Sequence, residues 1–116
     1  MQNMKTADQL YLVLTKEWFT EILEGRKKEE YRDFTDFYIS RLCECDEKGE
    51  IIDFKKYKTV KFQLGYQKNA PQMIVEIKDI LIETDEGISP ENGDFLTTDN
   101  CKFVIALGEI LEKNNC

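Results

Sequence analysis

Near residue 50 the prevailing spacing of apolar side chains along this chain changes, and that change restricts the fold more than any other feature. Before it, Trp18, Phe19, Ile22 and Leu23 recur at the i, i+4 spacing of one helix face. After it, Thr59-Val60-Lys61-Phe62-Gln63-Leu64 alternates apolar with polar, as a half-buried strand does. The longest strand candidate follows at Met73–Ile82, and Lys102–Leu111 closes the pattern. Ahead of the first helix, Leu10-Tyr11-Leu12-Val13-Leu14 reads as a mostly buried strand. Helices followed by mostly strands give an α+β domain with a curved or barrel-like sheet.

Punctuation residues divide the elements. Thr15 offers a hydroxyl N-cap to the first helix, and Gly25 closes it by tolerating the left-handed conformation. A second short helix is expected from Thr35 or Asp36 to Cys43, with Phe37, Tyr38, Ile39 and Leu42 on its apolar side. Asp46-Glu47-Lys48-Gly49 reads as a turn. Gly65–Pro71 interrupts two strands, and the stretch from Glu83 to Asn100 reads as loop. The 116 residues suit one domain, 1–116, with residues 1–8 and 112–116 expected to fray. No apolar run is long enough to span a bilayer, and the start lacks a basic stretch followed by an apolar one, so a cytoplasmic location is expected. A monomer is expected as well, though nothing in the sequence fixes the oligomeric state.

Histidine is absent, which removes Ser-His-Asp and Cys-His catalysis and every imidazole metal ligand. Acid–base work would fall to Glu, Asp, Lys, Tyr or Cys. Cys43-Glu44-Cys45 lacks the spacing of a zinc knuckle, and Cys101 and Cys116 supply no second one. Reduced thiols and no metal are therefore expected, with Cys43 a small hydrophobe at a helix end and Cys116 an exposed thiol. The net charge of −7 argues against broad, tight binding to duplex nucleic acid.

That acidic total conceals an uneven distribution. Between Phe54 and Lys78 lie Lys55, Lys56, Lys58, Lys61, Lys68 and Lys78 against one acid, Glu76, with Phe54, Tyr57, Phe62 and Tyr66 among them. Such lysines can hold phosphates while aromatic faces stack bases. The same pattern also arises when strands turn aromatics inward and lysines outward for solubility. From Asp79 to Cys101 there are seven acids and no base, which would suit an interaction loop.

The most informative stretch is Arg26-Lys27-Lys28-Glu29-Glu30-Tyr31-Arg32. As a strand after Gly25, it points Glu30 and Arg32 to one face and Glu29 and Tyr31 to the other. Neither face is cleanly apolar, and such departures from pattern concentrate at functional sites. A carboxylate, a guanidinium and Lys27 just upstream could orient a small polar ligand, or Lys27 with Glu30 could serve as base and acid. The alternative is a solvated ion-pair network, the reading given to Arg26, Lys28 and Glu29.

Gly25-Arg26-Lys27-Lys28-Glu29-Glu30-Tyr31-Arg32 resembles the Gly-x-Lys-x-x-Glu-x-Arg signature of the ASCH domain family, a branch of the PUA-like superfold. Trp18–Gly25 is similar to that family's first helix, and Phe37–Leu42, Gly65-Tyr66 and Phe103–Ile110 also look like small bacterial and phage members. The resemblance implies a PUA-like β-barrel of about five to six strands flanked by two or more short helices. It implies a module for single-stranded RNA or a modified nucleotide, with no cofactor. In it, Gly25 permits the turn, Lys27 contacts phosphate or polarises a carbonyl, and Glu30 accepts from a base's amino or imino group. Arg32 holds Glu30 or a phosphate, and Tyr66 and Trp18 are further cleft candidates. Trp18 is assigned first to the core, because its stripe with Ile22 already explains it. Lys55, Lys56, Lys58, Lys61 and Lys68 are candidates for the RNA backbone. Some similar proteins hydrolyse the amide of N4-acetylcytidine or cut RNA, which would make Lys27 and Glu30 catalytic. In the amidohydrolase pattern a threonine nucleophile occupies the position held here by Glu30, and Glu30 cannot act as that hydroxyl.

Overall fold

The computed structural model describes residues 9–116; the segment 1–8, expected to fray, lies outside them. The chain is α+β, with two short helices and a mixed five-stranded half-barrel sheet hydrogen-bonded in the order β1-β5-β6-β7-β2. Its strands are β1 (Gln9–Leu14), β2 (Glu29–Asp33), β5 (Thr59–Leu64), β6 (Gln72–Thr84) and β7 (Cys101–Asn114). A separate two-stranded sheet pairs β3 (Cys43–Cys45) with β4 (Ile51–Phe54). Backbone contacts divide the chain into two compact units, and β6 and β7 each contribute residues to both.

The first unit comprises residues 9–29 of the described chain, with Lys56–Asp79 and Ala106–Cys116. β1 lies parallel to β5 in register from Gln9↔Thr59 to Leu14↔Leu64, and β5 runs antiparallel to β6. Alternation decides which side chains enter the core: Leu10, Leu12 and Leu14 from β1 meet Val60 and Phe62 from β5 and Met73 and Val75 from β6, all buried. The helix α1 (Lys16–Leu23) adds Phe19 and Ile22 to that core. Trp18 departs from the expectation: it is 44% exposed, because Phe19 and Ile22, three residues apart, form the inward stripe. Thr15 occupies the N-cap position, but its carbonyl and not its hydroxyl accepts the bond, from the Phe19 amide at 2.9 Å.

The second unit comprises Glu30–Lys55 and Ile80–Ile105. Its helix α2 (Asp36–Leu42) is capped as its sequence suggests, the Thr35 hydroxyl accepting from the Tyr38 amide at 3.3 Å. Phe34 and Phe103 pack with ring centroids 5.1 Å apart, and Leu42, Ile80 and Ile105 of the same unit are also buried. The turn between β3 and β4 is tied by Asp46, whose carboxylate accepts from the amides of Lys48 and Glu50. The acidic stretch after β6 holds one 3-10 turn, Pro90–Asn92, and closes where the Asp85 amide donates to the Asn100 carbonyl at 2.8 Å.

Two strands outrun their apolar cores. β6 extends to Thr84, and β7 continues through Asn114, so ordered strand occupies three of the five residues, 112–116, expected to fray. Backbone pairing requires no apolar side chain, which is why these polar ends extend the strands. Among the described residues no helix is long and apolar enough to cross a membrane.

Candidate functional site

The charged segment begins at the end of α1. Gly25 adopts φ +81°, a region that side chains with a Cβ rarely enter, and its amide donates to the Ile22 carbonyl at 3.1 Å. The amides of Arg26 and Lys27 then both donate to the Glu21 carbonyl at 3.0 Å. This wrap satisfies the Glu21 and Ile22 carbonyls near the helix end and fixes where Lys27 leaves it. Arg26 is held at the surface by Glu21 and Glu24, at 2.8 and 2.5 Å. Hydrogen bonding to Arg26 lowers the Glu21 carboxyl below its ordinary value, as expected of a solvated ion-pair network.

Lys27 is half-buried, and its ammonium lies 4.9 Å from the centroid of the Trp18 ring. A cation over an indole face is attracted by the ring quadrupole, so exposed Trp18 acts as a rest for Lys27. Beside it the first unit contains a pocket of about 370 Å³. Gly25 and Lys27 line it, over an apolar floor of Ile22, Val75, Leu107 and Ile110. Lys28, Glu109 and Lys113 complete its polar margin. The Leu107 amide donates to the Lys28 carbonyl at 2.9 Å, locking that margin to β7. Gly108 also lines the pocket, and a Cβ there would collide with the Glu76 carboxylate. The absent side chain therefore lets Glu76 lie across β7, where its Oε1 accepts from the Glu109 amide at 3.4 Å.

In the second unit, Glu30 and Arg32 share a face of β2, as alternation requires, while Glu29 and Tyr31 are exposed on the other. Glu30 is 5% exposed, the one buried charged residue among those described. Its Oε2 accepts from Arg32 Nη2 at 2.7 Å and from Nε at 3.0 Å. Arg32 Nη1 donates to the Tyr38 hydroxyl at 2.7 Å, and the guanidinium lies 5.5 Å from the Tyr38 ring centroid. Burial opposes the charge on Arg32, but the bond to Tyr38 and the attraction of Glu30 outweigh it and hold the guanidinium above its ordinary value. Tyr38 is thus a polar partner, although its place in the helix pattern marked it as apolar.

The remaining sequence candidates are distributed as follows. Tyr66 is 87% exposed in the turn after β5 and does not line the pocket. Lys55 belongs to the second unit, its ammonium donating to the Ser40 carbonyl at 2.8 Å. Lys56, Lys58, Lys61 and Lys68 belong to the first, where Lys61 on β5 sits beside Tyr11 of β1 and Ile74 of β6. Phe62, interleaved with those lysines in the sequence, is fully buried and presents no face to a base.

Lys28 and Lys113 were not foreseen at the pocket. The sequence reading gives Lys28 to solvated ion pairing and Lys113 to the fraying tail, and the polar run Glu112–Cys116 carries no local signal of a strand. All four cysteines are free, and burial pushes the Cys43 thiol up to about 11, with the electrostatic influence of nearby Cys45 adding to it. Among the described residues no group of three or more Cys, Asp or Glu is placed to hold a metal ion. No family model, no curated protein and no solved structure matches the chain.

Proposed function

We propose that the chain is a nucleotide-binding module of the ASCH type, and that its ligand sits against Lys27 in the pocket of the first unit. The observation that carries this reading is the composition of that pocket: two fixed positions of the signature, Gly25 and Lys27, border an apolar floor with a largely cationic margin. An apolar floor accepts the face of a base, and lysines accept phosphate or polarise a carbonyl. Its volume of about 370 Å³ lies within the range of small-molecule sites. Lys61 on β5, with Lys56, Lys58 and Lys68 of the same unit, offers phosphate contacts to a longer RNA.

The test is a titration of ¹⁵N-labelled protein with the common nucleosides, their monophosphates and short single-stranded RNAs. Shifts at Gly25, Lys27 and Lys28 that weaken as salt is added are expected. Lys27→Ala should lower affinity about tenfold without loss of fold. An unchanged spectrum at millimolar ligand overturns the reading.

A further inference from the structure

We infer that Trp18 is a positioning residue of this pocket: its indole face holds the Lys27 ammonium where a bound nucleotide meets it, and its effect passes through Lys27. This rests on the nucleotide reading above and goes past it, because that reading gives Trp18 no part.

Trp18 is a side chain that the core does not explain. The inward stripe of α1 is Phe19 with Ile22, both buried, whereas Trp18 is 44% exposed. It stands one helical turn before Ile22, which belongs to the pocket floor, yet it does not itself line the pocket. What it does touch is Lys27, whose ammonium lies 4.9 Å from the ring centroid and which does line the pocket. An indole outside both the core and the lining is thus connected to the site through that cation.

The chain path brings the two together. Trp18 lies in the first turn of α1, and Lys27 follows its end. Gly25 turns the backbone in the left-handed region, and the amides of Arg26 and Lys27 bond back to the Glu21 carbonyl. From there the Lys27 side chain reaches back along the helix to the ring.

The chemistry of the contact differs from that of its neighbours. A carboxylate beside a cation cancels its charge, as Glu21 and Glu24 do for Arg26 and Glu30 does for Arg32. An indole attracts an ammonium through its ring quadrupole and leaves the charge in place. Lys27 has further interactions as well, and the ring adds to them a restraint that carries no opposite charge. An ammonium has three donors, and a ring occupies one side of it. The indole therefore restricts a long side chain, whose freedom a ligand must otherwise remove on binding.

Wild type and variants are titrated with the four ribonucleoside 5′-monophosphates, and the Lys27 side-chain protons are followed by NMR. In the wild type the methylene protons next to the ammonium should lie upfield of their ordinary position, shielded by the ring. Trp18→Leu keeps apolar bulk without the ring; it should abolish that shift and weaken the tightest-binding monophosphate about two- to fivefold. Trp18→Phe, a poorer partner for a cation, should fall between. In a Lys27→Met background, Trp18→Leu should cost nothing further. Trp18 is the one tryptophan of the chain, so biosynthetic replacement by ring-fluorinated tryptophans weakens the quadrupole while nearly keeping the shape. Affinity should fall as fluorine is added, and this arm decides the matter if Trp18→Leu does not fold. Unshifted Lys27 protons in the wild type, or unchanged affinity in Trp18→Leu or in the fluorinated protein, overturn the role of Trp18 and leave the nucleotide reading standing. An equal loss in the Lys27→Met background also overturns it, because the indole then acts on the nucleotide directly. Failure of every monophosphate to bind the wild type overturns both readings.

Discussion

Lys27 and Arg32 stand five residues apart in one charged segment, yet their surroundings differ in kind. Lys27 lies over an exposed indole at the margin of a pocket in the first unit. Arg32 lies in the second unit with a side chain only 14% exposed, its donors taken by a buried carboxylate and a phenol. A cation resting on an exposed indole at a pocket margin contributes little to folding. A cation bonded to a buried carboxylate removes a large electrostatic penalty and is costly to lose. A positive charge is therefore structural in the second unit and, under the function proposed above, serves binding in the first.

The largest expected effect is that of Arg32→Ala, which leaves Glu30 buried without its guanidinium and should cost about 3–5 kcal/mol in urea unfolding. The double variant Glu30→Met with Arg32→Met should recover most of this, since both charges disappear together. If the double variant is as unstable as the single one, a stranded carboxylate is not the cause.

Alkaline pH should also act on the second unit. The Cys43 thiol has an ordinary value of 9.0 and is pushed up to about 11 in the folded chain. The unfolded thiol ionises first, so this contribution is complete below pH 9 and falls away as pH rises toward 11. Urea midpoints across that interval should decline, by at most about 3 kcal/mol from this group, and Cys43→Ala should flatten the slope. An unchanged slope in the variant would assign the decline to other groups.

Tyr38→Phe removes one acceptor from Arg32 and should cost about 1 kcal/mol. The smallest effects belong to the pocket margin: Lys27→Ala and Lys28→Ala should alter stability by no more than about 0.5 kcal/mol. Substantial unfolding of either variant would erase the contrast between the two units.

The sequence disclosed most where side chains alternate or recur without interruption. β5 was legible because Val60 and Phe62 face inward between polar neighbours, and the shared face of Glu30 and Arg32 followed from strand parity alone. The pair β3 and β4 left no comparable trace: its strands have three and four residues, and Ile51 and Ile52 both remain exposed. Trp18 was misplaced because a four-residue spacing to Ile22 and a three-residue spacing from Phe19 to Ile22 are equally helical. At the candidate site, Gly25 and Lys27 could be read locally. Lys113 could not, because only the course of β7 carries it to residues more than eighty positions earlier in the chain.

The parallel union of β1 with β5 has a consequence for the order of assembly. Gln9–Leu14 cannot find its partner until Thr59–Leu64 has left the ribosome, so Leu10, Leu12 and Leu14 stay uncovered while some fifty residues are synthesised. During translation the first strand is a sticky, unmatched ribbon, and chaperone engagement should be strongest before residue 64 emerges.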